Sequence, residues 1–269
     1  MEQGSDQWLQ WREKGLGGSD VAVILGISPF TTPLQLYKDK LGIEKREYDK
    51  YITDKGHYYE GVLRTKFEMT DERDFPPVCM IHKDHSHRRV SLDGWDADTR
   101  TVLEIKLVGK DVFKLAKNHQ LPEYYMAQMQ YQMDIAEARE GVYLAGIEGA
   151  DQFGAKSIED WTIVIVKPDA ALVDNINSAV DGFWFSNLQK EVPPPLSHED
   201  TLQLDSEEAI RDFKTLKVAK LIKDKADKEN KDAVTTAKLY LASHSNVEAS
   251  GVQLKLASNG SVRPTFKKD

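Results

Sequence analysis

Asp93, Glu104 and Lys106 fall within one short stretch, SLDGWDADTRTVLEIKLVG, residues 91–109. Two carboxylates are hard oxygen donors that suit Mg²⁺ or Mn²⁺ and leave room around the ion for water and phosphate oxygens. A cation held there polarises a phosphodiester and acidifies a bound water. A lysine alongside orients that water or offsets developing negative charge. The types and spacing of these three residues therefore point to metal-assisted phosphodiester hydrolysis. The competing reading is a surface Glu–Lys pair on a half-exposed strand, because alternating strands commonly present such pairs to solvent.

The chemistry depends on the element that carries it. In a strand, successive side chains point to opposite faces, so Leu103, Ile105 and Leu107 share one face while Glu104 and Lys106 share the other. RRVSLDGWDA (88–97) and TVLEIKLVG (101–109) alternate and flank a polar turn, which predicts an antiparallel pair that folds Asp93 back beside Glu104. Upstream, SDVAVILGI predicts a short helix closed by Gly26, and TTPLQLYKDKLG a second with Pro33 in its first turn and Gly42 at its end. Residues 56–70 and PEYYMAQMQYQMDIAEA also read as helical, EGVYLAGI and DWTIVIVK as strands, and 169–189 as a closing helix. The expected fold class is α/β, with a mixed central sheet flanked by helices.

Three prolines at 193–195 mark a boundary that cannot continue a helix. The expected organisation is a domain over 1–190, a proline-rich linker over 191–204 and a helical extension over 205–269. In the extension, Ser206 before Glu207 and Glu208 reads as a helix start. Ile210, Phe213, Leu216 and Leu221 suggest one long helix or a helical hairpin, and alternation at Val252, Leu254 and Leu256 before Asn259-Gly260 suggests a small terminal hairpin.

Composition bounds the rest. The 269 residues are 40% hydrophobic and 9% aromatic, enough for a sizeable core. The single Cys79 excludes an internal disulfide and any cysteine-based zinc cluster. Absence of a long apolar run or a signal-peptide h-region leads to the expectation of a soluble, intracellular protein with no membrane partner. The net charge of −8 lies within residues 1–190, since 191–269 are charge-balanced. That argues against a basic nucleic-acid coat protein but not against a nucleic-acid enzyme with a local basic groove. The Gly17-Gly18 pair lacks the Gly-Lys-Ser/Thr of a nucleotide P-loop, which argues against an ATPase.

The Asp93-x10-Glu104-x-Lys106 arrangement is similar to the signature of the PD-(D/E)xK nuclease superfamily. Its surroundings narrow the resemblance. GLGGSDVAVILGISPFTTPLQLYKDKLG, GHYYEGVLRTKFE, SLDG, LEIK and YMAQMQYQM occur in series and resemble the blocks of the YqaJ-like viral recombinases, the group that includes phage lambda exonuclease. Leu92 stands where the superfamily name has proline, but its side chain is not a ligand.

The resemblance implies a restriction-endonuclease-like core and a role for each matching residue. Asp93 and Glu104 would ligate the metal with the Ile105 carbonyl, and Lys106 would position or activate the attacking water. Glu60 would align the nucleophile or join the metal site, and Gln128 would support Lys106 or the water. Arg12, Ser19 and Ser91 match a pocket for a terminal 5′-phosphate, whereas Asp84 is a poor match to a further acid. The implied cofactor is Mg²⁺, two ions per site, with Mn²⁺ able to substitute. The implied activity is 5′-to-3′ digestion of linear double-stranded DNA, leaving 3′ single-stranded tails for phage-type recombination. Implied partners are duplex ends, a phage single-strand annealing protein and further copies of the chain in a ring, a trimer by analogy. The setting would be the cytoplasm of a bacterial host, from a phage or prophage.

Several residues keep a second reading. Ser19 or Asp20 could simply cap a helix after a flexible glycine pair. Gln128 and Gln132, one helical turn apart with Tyr124 or Tyr125, could form an exposed polar stripe. His82, His85 and His87 fit no common zinc spacing; Arg88 and Arg89 could touch a DNA backbone; Trp95 reads as packing. An endonuclease on the same metal core, or a catalytically silent DNA-binding adaptor, remain the competing functions.

Overall fold

The strand that carries Glu104 and Lys106 is β4 (Thr101–Leu107), inside a four-stranded mixed sheet. In this computed structural model the described residues are 4–45, 50–150, 156–197, 200, 207–237, 239, 246–249, 252–256 and 262–266. The chain divides into two compact units, Met1–Asp200 and Thr201–Asp269.

In the first unit the strand order is β3 (Gly94–Asp96), β4, β5 (Glu140–Ala150) and β6 (Lys156–Val166). β4 and β5 run parallel, placing Glu104 beside Tyr143, and both outer pairings are antiparallel. The parallel step requires a crossover, supplied by α5 (Lys110–Lys117) and α6 (Glu123–Ile135). A strand in this position is covered on both sides. On one face, α4 (Lys50–Glu68) lays Tyr59, Leu63 and Phe67, each four apart, against Leu103, Ile105, Val142 and Leu144. On the other, α6 and α2 (Gly18–Ile24) contribute Ala127, Tyr131, Val21 and Val23 to a cluster with Val102, Tyr143 and Ala145. Glycines make both approaches close. A Cβ on Gly146 would stand 2.4 Å from Leu63 Cδ2, and one on Gly18 would stand 3.2 Å from Gln132 Cγ.

Local signals placed several elements well. Gly26 and Gly42 take φ of +70° and +69° just beyond α2 and α3 (Pro33–Lys40), the left-handed geometry that closes a helix. Thr32 caps α3, its hydroxyl accepting from Gln35 N at 3.1 Å. The strand expected over 88–97 is broken at Asp93. Its first half, β2 (Arg89–Leu92), pairs with β1 (Val78–Ile81) in a separate two-stranded sheet, and only β3 pairs with β4. The closing helix is α7 (Ala170–Gly182), which widens into a π-helical turn over Phe183–Leu188. Helices α1 (Asp6–Glu13) and α5 were not among the expected elements.

Residues 192–197 carry no regular secondary structure, and the Thr32 hydroxyl donates to the Asp200 carboxylate. In the second unit, α8 (Glu207–Ala237) is a single helix rather than a helical hairpin. β7 (Asn246–Ala249), β8 (Val252–Leu256) and β9 (Val262–Phe266) form an antiparallel sheet, so the terminal hairpin has a third strand. Ser206 and Asn259-Gly260 lie outside the described residues. Among those described, no helix is long and apolar enough to cross a membrane.

Candidate active site

Asp93 occupies the gap between β2 and β3, where the chain leaves one sheet and enters the other. Its Oδ2 accepts the backbone N–H of Ile105 at 2.8 Å, and β3 has already ended opposite Leu103. The carboxylate thus takes the place of a strand neighbour. In a strand, one residue's N–H and C=O point to the same edge, so the Ile105 carbonyl faces that edge too. Arg64 of α4 pins the Asp93 segment by donating to the carbonyls of Asp93 at 2.5 Å and Phe75 at 3.1 Å.

Alternation puts Glu104 on the face covered by α6, where only 2% of it is exposed. Gln128 Nε2 donates to Glu104 Oε1 at 2.6 Å and Gln132 Nε2 to Oε2 at 2.7 Å. Lys106 Nζ lies 2.5 Å from the same Oε1. Gln128 therefore holds Glu104 rather than Lys106, and both glutamines are engaged, not an exposed stripe. Glu60 lines the cleft from α4, its Oε1 3.8 Å from Arg64 Nη2.

Electrostatics follow from this crowding. Burial, and then the neighbouring Glu104, push the Asp93 carboxyl up to about 8, with Lys106 pulling the other way. Burial opposes the charge on Lys106, but Glu104 and Asp93 outweigh it and hold the ammonium above the usual lysine range. The donor set suits a hard divalent cation. Among the described residues no donor reaches Asp93 Oδ1, and Glu104 has three donors against about four lone-pair sites. Gln132 Oε1 is buried beside them without a partner.

A cleft of about 360 Å³ joins these groups to α1 and the start of α2. Along it lie Arg12, Ser19 and Ser91, with Trp8, Trp11, Thr53, His57 and Arg89. Arg12 Nη2 donates to Ser19 Oγ at 3.0 Å, and Trp8 Nε1 donates to Ser91 Oγ at 3.0 Å. Asp20 is a capping residue: its Oδ2 accepts from Gly17 N at 2.9 Å and pairs with Lys40 Nζ at 2.9 Å. Burial raises its pKa, but Lys40 and Arg12 outweigh that and hold it below the usual carboxylate range.

Every residue singled out for the metal, the nucleophile and the phosphate lines this one cleft: Asp93, Glu104, Ile105, Lys106, Glu60, Gln128, Arg12, Ser19 and Ser91. Asp84 is not among its walls. Trp95 packs against the core. Arg88 and His87 both bind Asp181, at 2.5 and 2.8 Å, which ties β2 to α7. The reasoning from sequence missed Trp8, Trp11 and Arg64. Arg64 had a signal, since it lies one helical turn from Glu60.

Residues 7–139 match the YqaJ-like viral recombinase domain. The uncharacterized protein YqaJ of Bacillus subtilis (strain 168) is 28% identical over 188 residues, 68% of this chain and 56% of the relative. The chain thus spans little more than half of that relative's length. An alkaline exonuclease from Laribacter hongkongensis, LHK-Exo, superposes with a TM-score of 0.56 at 18% identity, over 70% of this chain and 94% of its own. LHK-Exo in complex with dAMP gives 0.57 at 19% identity with the same coverage. At these identities the likeness establishes a shared fold. The blocks that carry the cleft fall inside the matched region, and the chain carries a YqaJ-like viral recombinase domain.

Proposed function

We propose that this chain is a Mg²⁺-dependent exodeoxyribonuclease that engages the 5′ end of linear duplex DNA and digests that strand 5′ to 3′. The product would be a 3′ single-stranded tail for phage-type recombination by strand annealing. The observation that carries this reading is a buried Asp93–Glu104 pair with Lys106, in a cleft that continues to Arg12, Ser19 and Ser91. That LHK-Exo is an alkaline exonuclease, and has been crystallised with dAMP, supports it.

Asp93, Glu104 and the Ile105 carbonyl would hold Mg²⁺, or Mn²⁺ in its place, and two ions fit the family's pattern. The metal supplies Lewis-acid polarisation of the scissile phosphate and an acidified water. The chain's own residues do the rest. Gln128 and Gln132 fix both Glu104 oxygens, so the carboxylate keeps one orientation. Lys106, held as an ammonium, orients the attacking water and offsets charge on the phosphorane-like transition state rather than abstracting a proton. Glu60 accepts from that water at the cleft wall. Arg12, Ser19 and Ser91 grip the terminal phosphate, which sets the register of the first scissile bond.

In this reading the working form is a ring of copies, a trimer, acting in a bacterial host's cytoplasm with a phage annealing protein. The test is polarity. With Mg²⁺, a duplex labelled at one 5′ end should release labelled mononucleotide first, and one labelled at the 3′ end should release its label last. The reverse order would refute the assigned direction.

A further inference from the structure

The loop between β1 and β2 carries His82, His85 and His87. Their rings follow one another, with centroids 4.9 Å apart from the first to the second and 5.8 Å from the second to the third. At the end of this row His87 Nε2 meets Asp181 Oδ1 of α7 at 2.8 Å. One donor atom each from His85, His87 and Asp181 falls within 4.8 Å of the other two. None of the three lines the cleft. The histidine spacing forms no zinc pattern by itself, but the fold adds a carboxylate 94 residues beyond His87.

The surroundings fix these groups in place. The His87 ring stacks on Trp184 at 5.3 Å and 14°, and the edge of Phe185 meets it at 5.0 Å. Both aromatics come from the π-helical turn that follows α7, a local widening that recurs at functional sites. The backbone is held as well: Leu16 N donates to the His87 carbonyl at 2.7 Å, and Arg88 N to the His85 carbonyl at 2.9 Å. Burial holds the His87 pKa below the usual imidazole range, which favours the neutral ring that a metal needs. Burial opposes the charge on Asp181, but Arg88 and His87 outweigh it and keep the carboxylate ionised. Arg88 donates from Nε to Oδ1 at 3.0 Å and from Nη2 to Oδ2 at 2.5 Å. That fork uses one lone pair on each oxygen and orients the other Oδ1 pair toward His87.

We propose that His85, His87 and Asp181 form a zinc site, separate from the cleft, that ties the β1–β2 loop to α7. Two imidazoles and one carboxylate suit Zn²⁺, whereas the acids of the cleft are hard oxygen donors suited to Mg²⁺. Zinc lies about 2.0–2.1 Å from such donors, so tetrahedral ligand atoms stand about 3.3 Å apart. His87 and Asp181 therefore part by about half an ångström, and the half-buried His85 ring turns inward to complete the set. His87 moves its proton from Nε2 to Nδ1, the ion takes the place between Nε2 and Oδ1, and water fills the fourth position. The Arg88 charge opposes the ion across Asp181 and weakens the site, which leaves it to a strongly bound ion such as Zn²⁺ and closes it to Mg²⁺.

The test is a calorimetric zinc titration of the full-length chain in excess Mg²⁺, alongside His85→Ala and Asp93→Asn. In the wild type, Zn²⁺ at about a hundred times its Kd should raise the melting temperature by about 5–10 °C. His85→Ala should weaken zinc binding about a hundredfold and abolish that rise, while its melting temperature without zinc stays within about 2 °C of the wild type. Asp93→Asn, which alters the cleft, should keep the wild-type zinc affinity within about twofold. A wild type that binds no zinc would overturn the site. So would wild-type zinc affinity in His85→Ala, or loss of zinc binding in Asp93→Asn, since the ion would then lie elsewhere. Should His85→Ala unfold, His85→Gln carries the comparison, with loss of zinc binding supporting the site and full retention overturning it.

Discussion

Asp93 and Glu104 are two acids forced into one buried corner, and each depends on groups from another element. Asp93 is held by the Ile105 N–H and Glu104 by Gln128 and Gln132. Replacing Asp93 with Ala or Glu104 with Gln should reduce hydrolysis by roughly a thousandfold or more while the far-ultraviolet circular dichroism stays native. Lys106→Ala should do the same by a smaller factor, about a hundredfold. A pH prediction follows from Asp93, whose pKa of about 8 lies above its unfolded value. The folded chain then keeps a proton that the unfolded chain releases. The stability this group supplies is full below about pH 4 and is lost as pH rises through about 8. In chelator, the melting temperature should therefore fall between about pH 5 and 8 and level off above that, and Asp93→Asn should flatten that slope. Saturating Mg²⁺ should reverse it, because the ion competes with the proton.

At the level of elements, β4 was legible because its alternation survives in the fold: Leu103 and Ile105 face α4, and Glu104 faces α6. That the acid would lie under a helix, not open to solvent, was not legible, because strand periodicity gives faces but not what covers them. The break at Asp93 escaped for a related reason. A continuous strand would have satisfied the Ile105 N–H with backbone, and only the fold shows that a carboxylate does so instead. Helix α1 escaped because it has no buried residue, so no apolar stripe announces it. Its tryptophans serve the cleft rather than the core. Gly94 shows how tightly the Asp93 corner is packed. A Cβ there would stand 2.7 Å from Phe75 Cβ and 3.0 Å from Leu103 Cβ. Gly94→Ala should cost about 1–3 kcal/mol in a denaturant titration and should also slow hydrolysis by displacing Asp93. Leu63→Ala, fully buried beneath β4, should cost about 2–5 kcal/mol in the same titration.

Among the described residues, the first unit contains every cleft residue and the second unit contains none. A chain ending at Asp200 should retain Mg²⁺-dependent hydrolysis of short linear duplexes, with a melting temperature close to that of the full chain. Sizing by light scattering would show whether residues 201–269 are needed for assembly. The negative charge of the first unit suits a protein that holds DNA at a few placed cations rather than along a basic face. The central claim concerns ends. One gel, with Mg²⁺ and equal amounts of 5′-phosphorylated linear, 5′-hydroxyl linear and covalently closed circular duplex, tests it most directly. The phosphorylated linear substrate should be consumed fastest, the hydroxyl form more slowly, and the circle should persist. Consumption of the circle at the linear rate, or survival of all three, would contradict the account.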